Sequence, residues 1–343
     1  MLHFATVPER LNIAVVGCGY WGPNLARNFQ QLKLARLAVL CDADVARAQE
    51  LAVFYAQARA VANYADVLAD PDVHAVALAT PARSHFALAR RALDSGKHVL
   101  VEKPLAMTAA ECDELTALAA ARGLTLMVGH TFEYNPAVWK IKDLIAAGHI
   151  GEVYYIYANR VNLGRVQSDI NALWSIAPHD ISIVLYLLEA LPVAVSAHGA
   201  SFLTAGIEDV VFMTLEFPGN VLVHIQASWL DPSKTRRMTV VGSQRMIVYD
   251  DVDNEGKIKI YDKGVYRKGD PAYGEFQYRV HSGDIHTPKI DMTEPLANEC
   301  AHFVDCALTG KSPRTGGASG ARTVRVLEAA QRSLERHGAT VSL

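Results

Sequence analysis

Short apolar runs separated by stretches with helical spacing make up the first 130 residues. Each run ends at a glycine, a proline or a charged residue, and the runs lie at 11–16, 35–41, 73–79, 97–101 and 124–128. Strands that are apolar on both faces are typical of a parallel sheet covered by helices on both sides. The pattern therefore predicts a doubly wound α/β domain.

The first apolar run leads directly into a glycine-rich turn. Gly17-Cys18-Gly19-Tyr20-Trp21-Gly22 fits GxGxxG, with a strand before it and a helical stretch after it. The first glycine permits the tight turn, the second lets a pyrophosphate approach the backbone, and the third lets helix and strand pack closely. Asp42 ends the second run, where a carboxylate would accept hydrogen bonds from an adenosine ribose. Together they predict a Rossmann domain that binds NAD rather than NADP, since Asp42 would repel a 2′-phosphate.

A simpler interpretation exists for each of these residues. The glycines could serve only a tight turn, and Asp42 could cap the next helix. Tyr20 and Trp21 could line a cofactor or sugar site, or could be core aromatics. The position, the context and the acid taken together favour the dinucleotide site.

The pattern changes at Asn135-Pro136, which reads as a helix N-cap followed by proline at the first helical position. Extended runs with hairpin turns then dominate, at 152–161, 193–203, 208–217, 220–229, 236–242 and 245–250. Helices are predicted near 178–189, 293–309 and 317–336. We therefore predict an α+β domain with a large open, mostly antiparallel sheet, and place the domains at 1–129 and 130–343.

Charge and hydropathy narrow the classes of partner. Lys plus Arg number 33 against 36 Asp plus Glu, and the basic residues form no broad stripe, so nucleic acid is not an expected partner. The most apolar stretch, 181–195, is interrupted by Ser182, Glu189 and Pro192 and is too short to span a bilayer. No membrane partner is expected.

The cysteines and histidines suggest neither disulfides nor a metal site. The five cysteines form no CxxC pair, which favours a reduced, cytoplasmic protein. His281 and His286 lie in an expected loop, and Cys300 and Cys306 lie on an expected helix whose one face they do not share well. No bound metal is predicted.

Two further motifs carry a family resemblance. Glu102-Lys103-Pro104 ends a predicted strand, and Thr80-Pro81 followed by His85 lies after the preceding one. With the glycine loop, these motifs resemble those of the Gfo/Idh/MocA oxidoreductases, and the resemblance extends over nearly the whole chain. It implies NAD-dependent chemistry at the carboxyl ends of the first-domain strands. It implies cofactor contacts from Gly17, Gly19, Tyr20, Trp21, Gly22, Asp42, Thr80, Pro81, His85, Glu102 and Lys103.

The resemblance also suggests catalytic residues. His179 matches the histidine of the family's DxxxH motif, and an imidazole suits proton exchange near neutrality. Lys103 would hydrogen-bond the reacting oxygen and stabilise alkoxide charge. In the family the Lys103-Pro104 bond is commonly cis. Ser175 stands where the family usually has Asp, four residues before His179, so the carboxylate that would orient the histidine is missing.

Residues 160–180 and 228–232 point to a subgroup. They resemble nucleotide-sugar 3-dehydrogenases of the UDP-N-acetylglucosamine or UDP-N-acetylglucosaminuronate type. This implies oxidation of the sugar 3-hydroxyl to a 3-keto sugar, which an aminotransferase would then use. Substrate contacts are predicted from Arg160, which could pair with a diphosphate, and from Asn162 and Asn171, which could bond sugar hydroxyls. Lys234 and Arg236 could meet phosphate, and His179 is also expected to contact the substrate. Polar residues that alternate along a strand can instead simply face water.

Two other functions stay open at this stage. One is a free-sugar or inositol dehydrogenase of the same family. The other is a non-catalytic NAD-binding sensor or regulator, for which Ser175 is the only support. An open sheet leaves one face to be covered, and the family commonly uses that face for assembly, so a homodimer or homotetramer is expected.

Overall fold

A computed structural model of the protein describes residues 9–268 and 277–343. The chain divides into two compact units. The first unit consists of the residues up to Tyr134 together with the later segment Thr293–Val324. The second unit consists of Asn135–Met292 and Arg325–Leu343. The predicted domain boundary at residue 129 lies close to this division. The prediction placed 293–324 in the second domain, whereas in the structure this segment packs with the first unit, because local patterning does not reveal which distant element a helix contacts.

The first unit contains a six-stranded parallel sheet in the order β3-β2-β1-β4-β5-β6. Its strands are β1 Leu11–Val16, β2 Ala35–Cys41, β3 Arg59–Val61, β4 Ala75–Leu78, β5 His98–Glu102 and β6 Leu126–Gly129. Its helices before Tyr134 are α1 Gly22–Gln31, α2 Val45–Ala52, α3 Tyr64–Ala69, α4 His85–Asp94 and α5 Ala109–Arg122. The strand order reverses between β1 and β4, which is where ligands bind in open α/β sheets. The doubly wound Rossmann fold is confirmed.

The second unit contains a nine-stranded sheet in the order β14-β13-β12-β11-β7-β10-β9-β8-β15. The strands are β7 Val153–Val161, β8 Ala194–Ala200, β9 Val210–Phe217, β10 Val221–Ser228, β11 Thr235–Gly242, β12 Met246–Asp250, β13 Ile258–Lys268, β14 Gln277–His286 and β15 Val341–Ser342. The first helices of the unit are α6 Pro136–Ala146, α7 Ala172–Ile176 and α8 Pro178–Leu188. Within residues 9–268 and 277–343, the strand pair β7–β10 of this sheet is parallel and all its other strand pairs are antiparallel. The mostly antiparallel α+β architecture is confirmed.

Strands β13 and β14 correct the expected loop around His281 and His286. Both histidines lie on β14, and His281 Nε2 is 2.9 Å from Asp262 Oδ2 on β13. Residues 278–286 are exposed on both faces of the strand. The apolar alternation that identifies a strand in a sequence is therefore absent there.

Two helices follow, α9 Pro295–Thr309 and α10 Gly317–Glu335. Within the first unit, α9 packs on the turn Thr131–Tyr134, where Asn298 Nδ2 donates to Tyr134 O over 3.1 Å. The residues before α10 cover the edge of β6, because Val128 N–H donates to Thr315 O over 2.7 Å. None of the helices in the described ranges has both the length and the hydrophobicity needed to cross a membrane.

Candidate active site

The three glycines of the loop after β1 have different structural roles. Gly17 has φ +94°, and a Cβ there would lie 2.6 Å from Ala79 O. A Cβ at Gly22 would lie 1.9 Å from Gly17 O. A Cβ at Gly19 would meet no atom within 4 Å. Two of the glycines are therefore required by the fold, whereas Gly19 keeps open the space that a pyrophosphate would occupy.

Asp42 and helix α1 complete this part of the site. Asp42 directly follows β2, and its Oδ2 accepts from Cys18 N–H over 2.7 Å, which ties it to the glycine loop. Its Oδ1 accepts from Asp44 N–H over 2.9 Å. Helix α1 starts at Gly22 without a side-chain cap, so the positive end of its dipole is available to an anion. The residues present fit a dinucleotide.

The surroundings of Gly19 and Gly22 predict different effects of substitution at the two positions. Gly19→Val should fold normally, because the new side chain enters open space, and should weaken NAD binding by about 100-fold, or about 2.7 kcal/mol. Gly22→Ala should lower the melting temperature, because its Cβ would overlap Gly17 O. Calorimetric titration with NAD and thermal unfolding of both variants check this. Unchanged NAD affinity in Gly19→Val would refute the placement of the pyrophosphate.

The loops after β4 and β5 are joined by His85. Its Nε2 lies 2.9 Å from Thr80 O and its Nδ1 lies 2.7 Å from Pro104 O. The ring is 1% exposed, and burial lowers its pKa. Because both ring nitrogens face backbone carbonyls, we assign His85 the positioning of these loops in place of the predicted direct contact with the cofactor. Ser84 Oγ also donates to Thr80 Oγ1 over 2.8 Å.

Lys103 lies just beyond β5, at the carboxyl edge of the sheet. The Lys103-Pro104 peptide bond is cis, as the family resemblance implied. Lys103 N–H donates to Glu102 Oε2 over 3.3 Å. Burial raises the pKa of Glu102 to about 7, and the nearby Lys103 charge opposes that rise. Lys103 and the buried Glu102 carboxyl therefore influence each other electrostatically at the edge where the ligand crevice is expected.

His130 is a residue that the sequence-based reasoning missed. It directly follows β6, is 1% exposed, and both of its ring nitrogens are buried without a hydrogen bond of good geometry. Burial, and then the charge of Lys103, lower its pKa to about 3, so its ring is neutral. Trp21 Nε1 is also buried, and its interaction with Glu102 lowers the pKa of that carboxyl. The sequence signal that could have identified His130 is its place directly after a parallel strand. The same kind of position identified Lys103.

His179 belongs to the second unit and lies in the first turn of α8. Pro178 begins this helix and has no N–H to continue the hydrogen bonding of α7. Ser175 therefore lies on α7 and His179 on α8, with Ala177 between the two helices. Ala177 keeps helical backbone angles, φ −64° and ψ −25°, and Ser175 N–H donates to Asn171 O over 3.0 Å.

The first turn of α8 is anchored by a buried ion pair. Arg160 Nε lies 2.7 Å from Asp180 Oδ2, and Arg160 Nη2 lies 3.0 Å from Asp180 Oδ1. Both side chains are at most 7% exposed. This bidentate geometry occupies the guanidinium face that was predicted to bind a diphosphate. Arg160 is therefore better assigned to positioning His179, the neighbour of Asp180, than to substrate binding.

Asn171 is likewise a structural residue. Its Oδ1 accepts from Trp174 N–H and caps α7, while its Nδ2 donates to Glu208 Oε2 over 2.6 Å and to Gln331 Oε1. The predicted sugar contact is not supported, because the amide is buried and engaged.

The other predicted substrate residues remain accessible. Asn162 is half-buried beyond the end of β7, and Lys234 is exposed just before β11. Arg236 lies on β11 directly opposite Arg160, and its Nη1 is 3.4 Å from Asp251 Oδ2. Its side chain is 39% exposed. Lys234 and Arg236 thus place accessible positive charge at one end of β11.

Comparison with known proteins decides the family. Residues 11–130 match the model of the oxidoreductase family with an NAD-binding Rossmann fold, and residues 138–248 match the Gfo/Idh/MocA C-terminal domain. A UDP-N-acetylglucosamine 3-dehydrogenase of Acidithiobacillus ferrooxidans is 30% identical over 77% of this chain and 79% of its own length. The chain belongs to the Gfo/Idh/MocA family. It is an NAD-dependent oxidoreductase of the CH–OH dehydrogenase type.

Other family members show the breadth of the group. An inositol 2-dehydrogenase of Saccharopolyspora erythraea is 30% identical over 63% of this chain and 66% of its own length. The solved structure of the Acidithiobacillus ferrooxidans enzyme superimposes with a TM-score of 0.79 at 26% identity, and covers 96% of this chain and 99% of the other. Nucleotide-sugar and polyol dehydrogenases are therefore both similar to this member of the family.

Proposed function

We propose that this oxidoreductase converts the 3-hydroxyl of a UDP-N-acetyl sugar, UDP-N-acetylglucosamine or its uronate, to a ketone. The observation that carries the proposal is the similarity to a UDP-N-acetylglucosamine 3-dehydrogenase, which extends over more than three quarters of both chains. The accessible charge of Lys234 and Arg236 supports a substrate that carries phosphate.

The proposed chemistry assigns one role to Lys103 and one to His179. NAD supplies the hydride acceptor when it is bound. Lys103 donates a hydrogen bond to the reacting oxygen and stabilises the negative charge that develops on it. His179 accepts the hydroxyl proton. The neighbouring Arg160–Asp180 pair holds the helix turn that carries His179.

Asp42 supports NAD over NADP. Its carboxylate is held by Cys18 N–H and Asp44 N–H at the end of β2, the position from which a ribose hydroxyl is recognised. A 2′-phosphate at this point would meet a fixed negative charge. Exposed Tyr20, next to the open space at Gly19, remains a proposed cofactor contact.

A second candidate function is the oxidation of a free sugar or inositol. The inositol 2-dehydrogenase relative, which is equally similar over a shorter stretch, favours it. A purely regulatory role is disfavoured, because Lys103 and His179 are both retained and a binding module needs no acid–base pair.

We further propose that the exposed face of the second-unit sheet mediates assembly into a homodimer or homotetramer. Tyr155 and Tyr157 on β7 stack with ring centroids 6.3 Å apart, and both are exposed. Leu222, directly opposite Tyr155 on β10, is 48% exposed. Contiguous exposed apolar groups of this kind mark interaction surfaces. A downstream aminotransferase and a cytoplasmic location remain predictions.

Absorbance of NADH distinguishes the candidate functions. NAD-loaded protein is mixed with UDP-N-acetylglucosamine, its uronate, myo-inositol or glucose. A stoichiometric or continuing rise with one UDP-sugar is the expected result. A rise with myo-inositol or glucose alone, with no thermal protection by UDP, would overturn the nucleotide-sugar assignment in favour of the second candidate. Thermal protection by UDP, without a rise in NADH absorbance with any of these compounds, would indicate a different nucleotide sugar.

A further inference from the structure

Two arginines lie directly opposite each other on neighbouring strands of the second-unit sheet. Arg160 on β7 faces Arg236 on β11, so both side chains lie on one face, where like charges repel. Arg160 is paired with Asp180, whereas the carboxylate that meets Arg236 is Asp251, just beyond the end of β12. The Asp251 side chain is 14% exposed and that of Arg236 is 39% exposed. Asp251 is therefore the inner member of the second pair and Arg236 the outer one.

Asp251 is joined to Arg236 through the main chain as well as the side chain. Asp251 N–H donates to Arg236 O over 2.9 Å, which continues the pairing of β12 with β11. Arg236 Nη1 lies 3.4 Å from Asp251 Oδ2. Lys257 also fixes the main chain of Asp251, because its Nζ donates to Asp251 O over 2.7 Å. The position of the carboxylate is thus set relative to the strand that carries Arg236.

A chain of hydrogen bonds that starts at Asn135 orients the Asp251 carboxylate. Asn135 caps α6, since its Oδ1 accepts from Ala137 N–H over 2.9 Å, and its Nδ2 is then the donor group. Asn135 Nδ2 donates to Tyr249 OH over 3.0 Å and to Asp251 Oδ1 over 3.3 Å. Tyr249 OH donates to Asp251 Oδ1 over 3.0 Å. With Oδ1 engaged in this way, Oδ2 is the oxygen that meets Arg236.

The tyrosine keeps the proton that this chain of hydrogen bonds requires. Burial, and then the negative charge of Asp251, raise the pKa of the Tyr249 hydroxyl, against the charge of Arg160. The hydroxyl is therefore a donor at neutral pH. Asn135 and Tyr249 are both buried, and hydrogen bonds to a charged acceptor are strong where water is excluded. The carboxylate is thus held in place by groups that no ligand touches.

We propose that Asp251 is a positioning residue that holds the Arg236 guanidinium at the end of β11 for a diphosphate group. An arginine side chain loses conformational entropy when it is ordered around an anion, and a carboxylate that already holds it reduces that loss. A guanidinium has several N–H donors in one plane, so a contact at Nη1 is compatible with a second contact to phosphate. That the diphosphate belongs to a nucleotide sugar rests on the proposed function, whereas the positioning of Arg236 for an anion does not.

Calorimetric titration of the full-length, NAD-loaded protein with inorganic pyrophosphate and with UDP tests this role. Asp251→Asn should weaken the binding of both by about five- to tenfold, because the arginine side chain must then be ordered during binding. Asp262→Asn is the matched control, since Asp262 pairs with Arg245 at 3.0 Å elsewhere in the unit, and it should leave both affinities unchanged. If Asp251 only neutralised positive charge, its loss would strengthen pyrophosphate binding, and this result would overturn the proposal.

A double variant separates positioning from a general loss of structure. Arg236→Met should weaken pyrophosphate binding by at least about tenfold, and adding Asp251→Asn should have no further effect, because Asp251 acts through Arg236. Tyr249→Phe removes only the hydroxyl that holds Asp251 Oδ1 and should weaken binding by about two- to threefold. It takes the place of Asp251→Asn if that variant does not fold. Additive effects in the double variant, unchanged affinity in the single variants, or a wild type that binds neither pyrophosphate nor UDP would overturn the proposal.

Turnover distinguishes this proposal from the proposed function. With an active UDP-sugar, Asp251→Asn should raise KM by about five- to tenfold and leave kcat within about twofold of wild type, because the proposed chemistry takes place at Lys103 and His179. A lower kcat with an unchanged KM would overturn the positioning role. Pyrophosphate binding that depends on Arg236 and Asp251, without oxidation of any UDP-sugar, would count against the proposed function alone.

Discussion

Replacing Lys103 with methionine is expected to lower kcat by about 10²–10³-fold, with a change in the NAD dissociation constant of less than about threefold. The ammonium group contributes mainly to stabilising the charge that develops on the substrate oxygen, so its loss affects the transition state more than the ground state. Methionine retains most of the side-chain length. Stopped-flow NADH formation with the active sugar and calorimetric titration with NAD measure the two effects separately.

Lys33→Met is the matched control, since Lys33 is exposed at the surface of the same unit. It should leave kcat unchanged. Because Lys103 lowers the pKa of Glu102, the Lys103→Met variant should also show a higher pKa for that carboxyl. A kcat within about twofold of wild type would remove Lys103 from the proposed chemistry.

Arg160→Met is expected to destabilise the second unit by about 3–5 kcal/mol, because it leaves the Asp180 carboxylate buried without its partner. Urea unfolding followed by tryptophan fluorescence measures the loss. The double variant Arg160→Met/Asp180→Leu should recover a large part of it, since removing both charges also removes the cost of burying the unpaired one.

Arg245→Met, in the connection between β11 and β12, provides the comparison in the same unit. Arg245 pairs with Asp262 at 3.0 Å, but both side chains are more than a third exposed. Its loss should therefore cost less than about 1 kcal/mol. If Arg160→Met lowered the free energy of unfolding no more than Arg245→Met, the inference that the Arg160–Asp180 pair anchors the first turn of α8 would be wrong.

Strands with two buried faces could be predicted from the sequence, because burial leaves continuous apolar runs. This holds for β1, β4 and β6, and the glycine loop could be predicted because its steric needs are local. Strands β13 and β14 could not, since β14 is exposed along both faces. The three-residue β3 is too short to show a period.

Residues of the candidate site could be predicted only where the type of one residue, at its position in the sequence, implied a function by itself. Lys103 and Asp42 follow from strand ends, but the partner of Arg160 does not, because Asp180 meets it through tertiary packing.

Because residues 315 and 316 cover the edge of β6, this edge stays uncovered for part of the time during which the chain is synthesised. Thr315 exchanges two hydrogen bonds of 2.7 Å with Val128, and Gly316 bridges Met127, so this strand acquires its outer neighbour from a distant part of the chain. A ribosome exposes β6 long before it reaches Thr315. During that interval the nascent chain carries an unprotected apolar sheet edge, which is a template for wrong pairing. Products truncated before residue 315 would keep that edge permanently, so interrupted translation would yield an aggregating fragment and not an isolated nucleotide-binding domain.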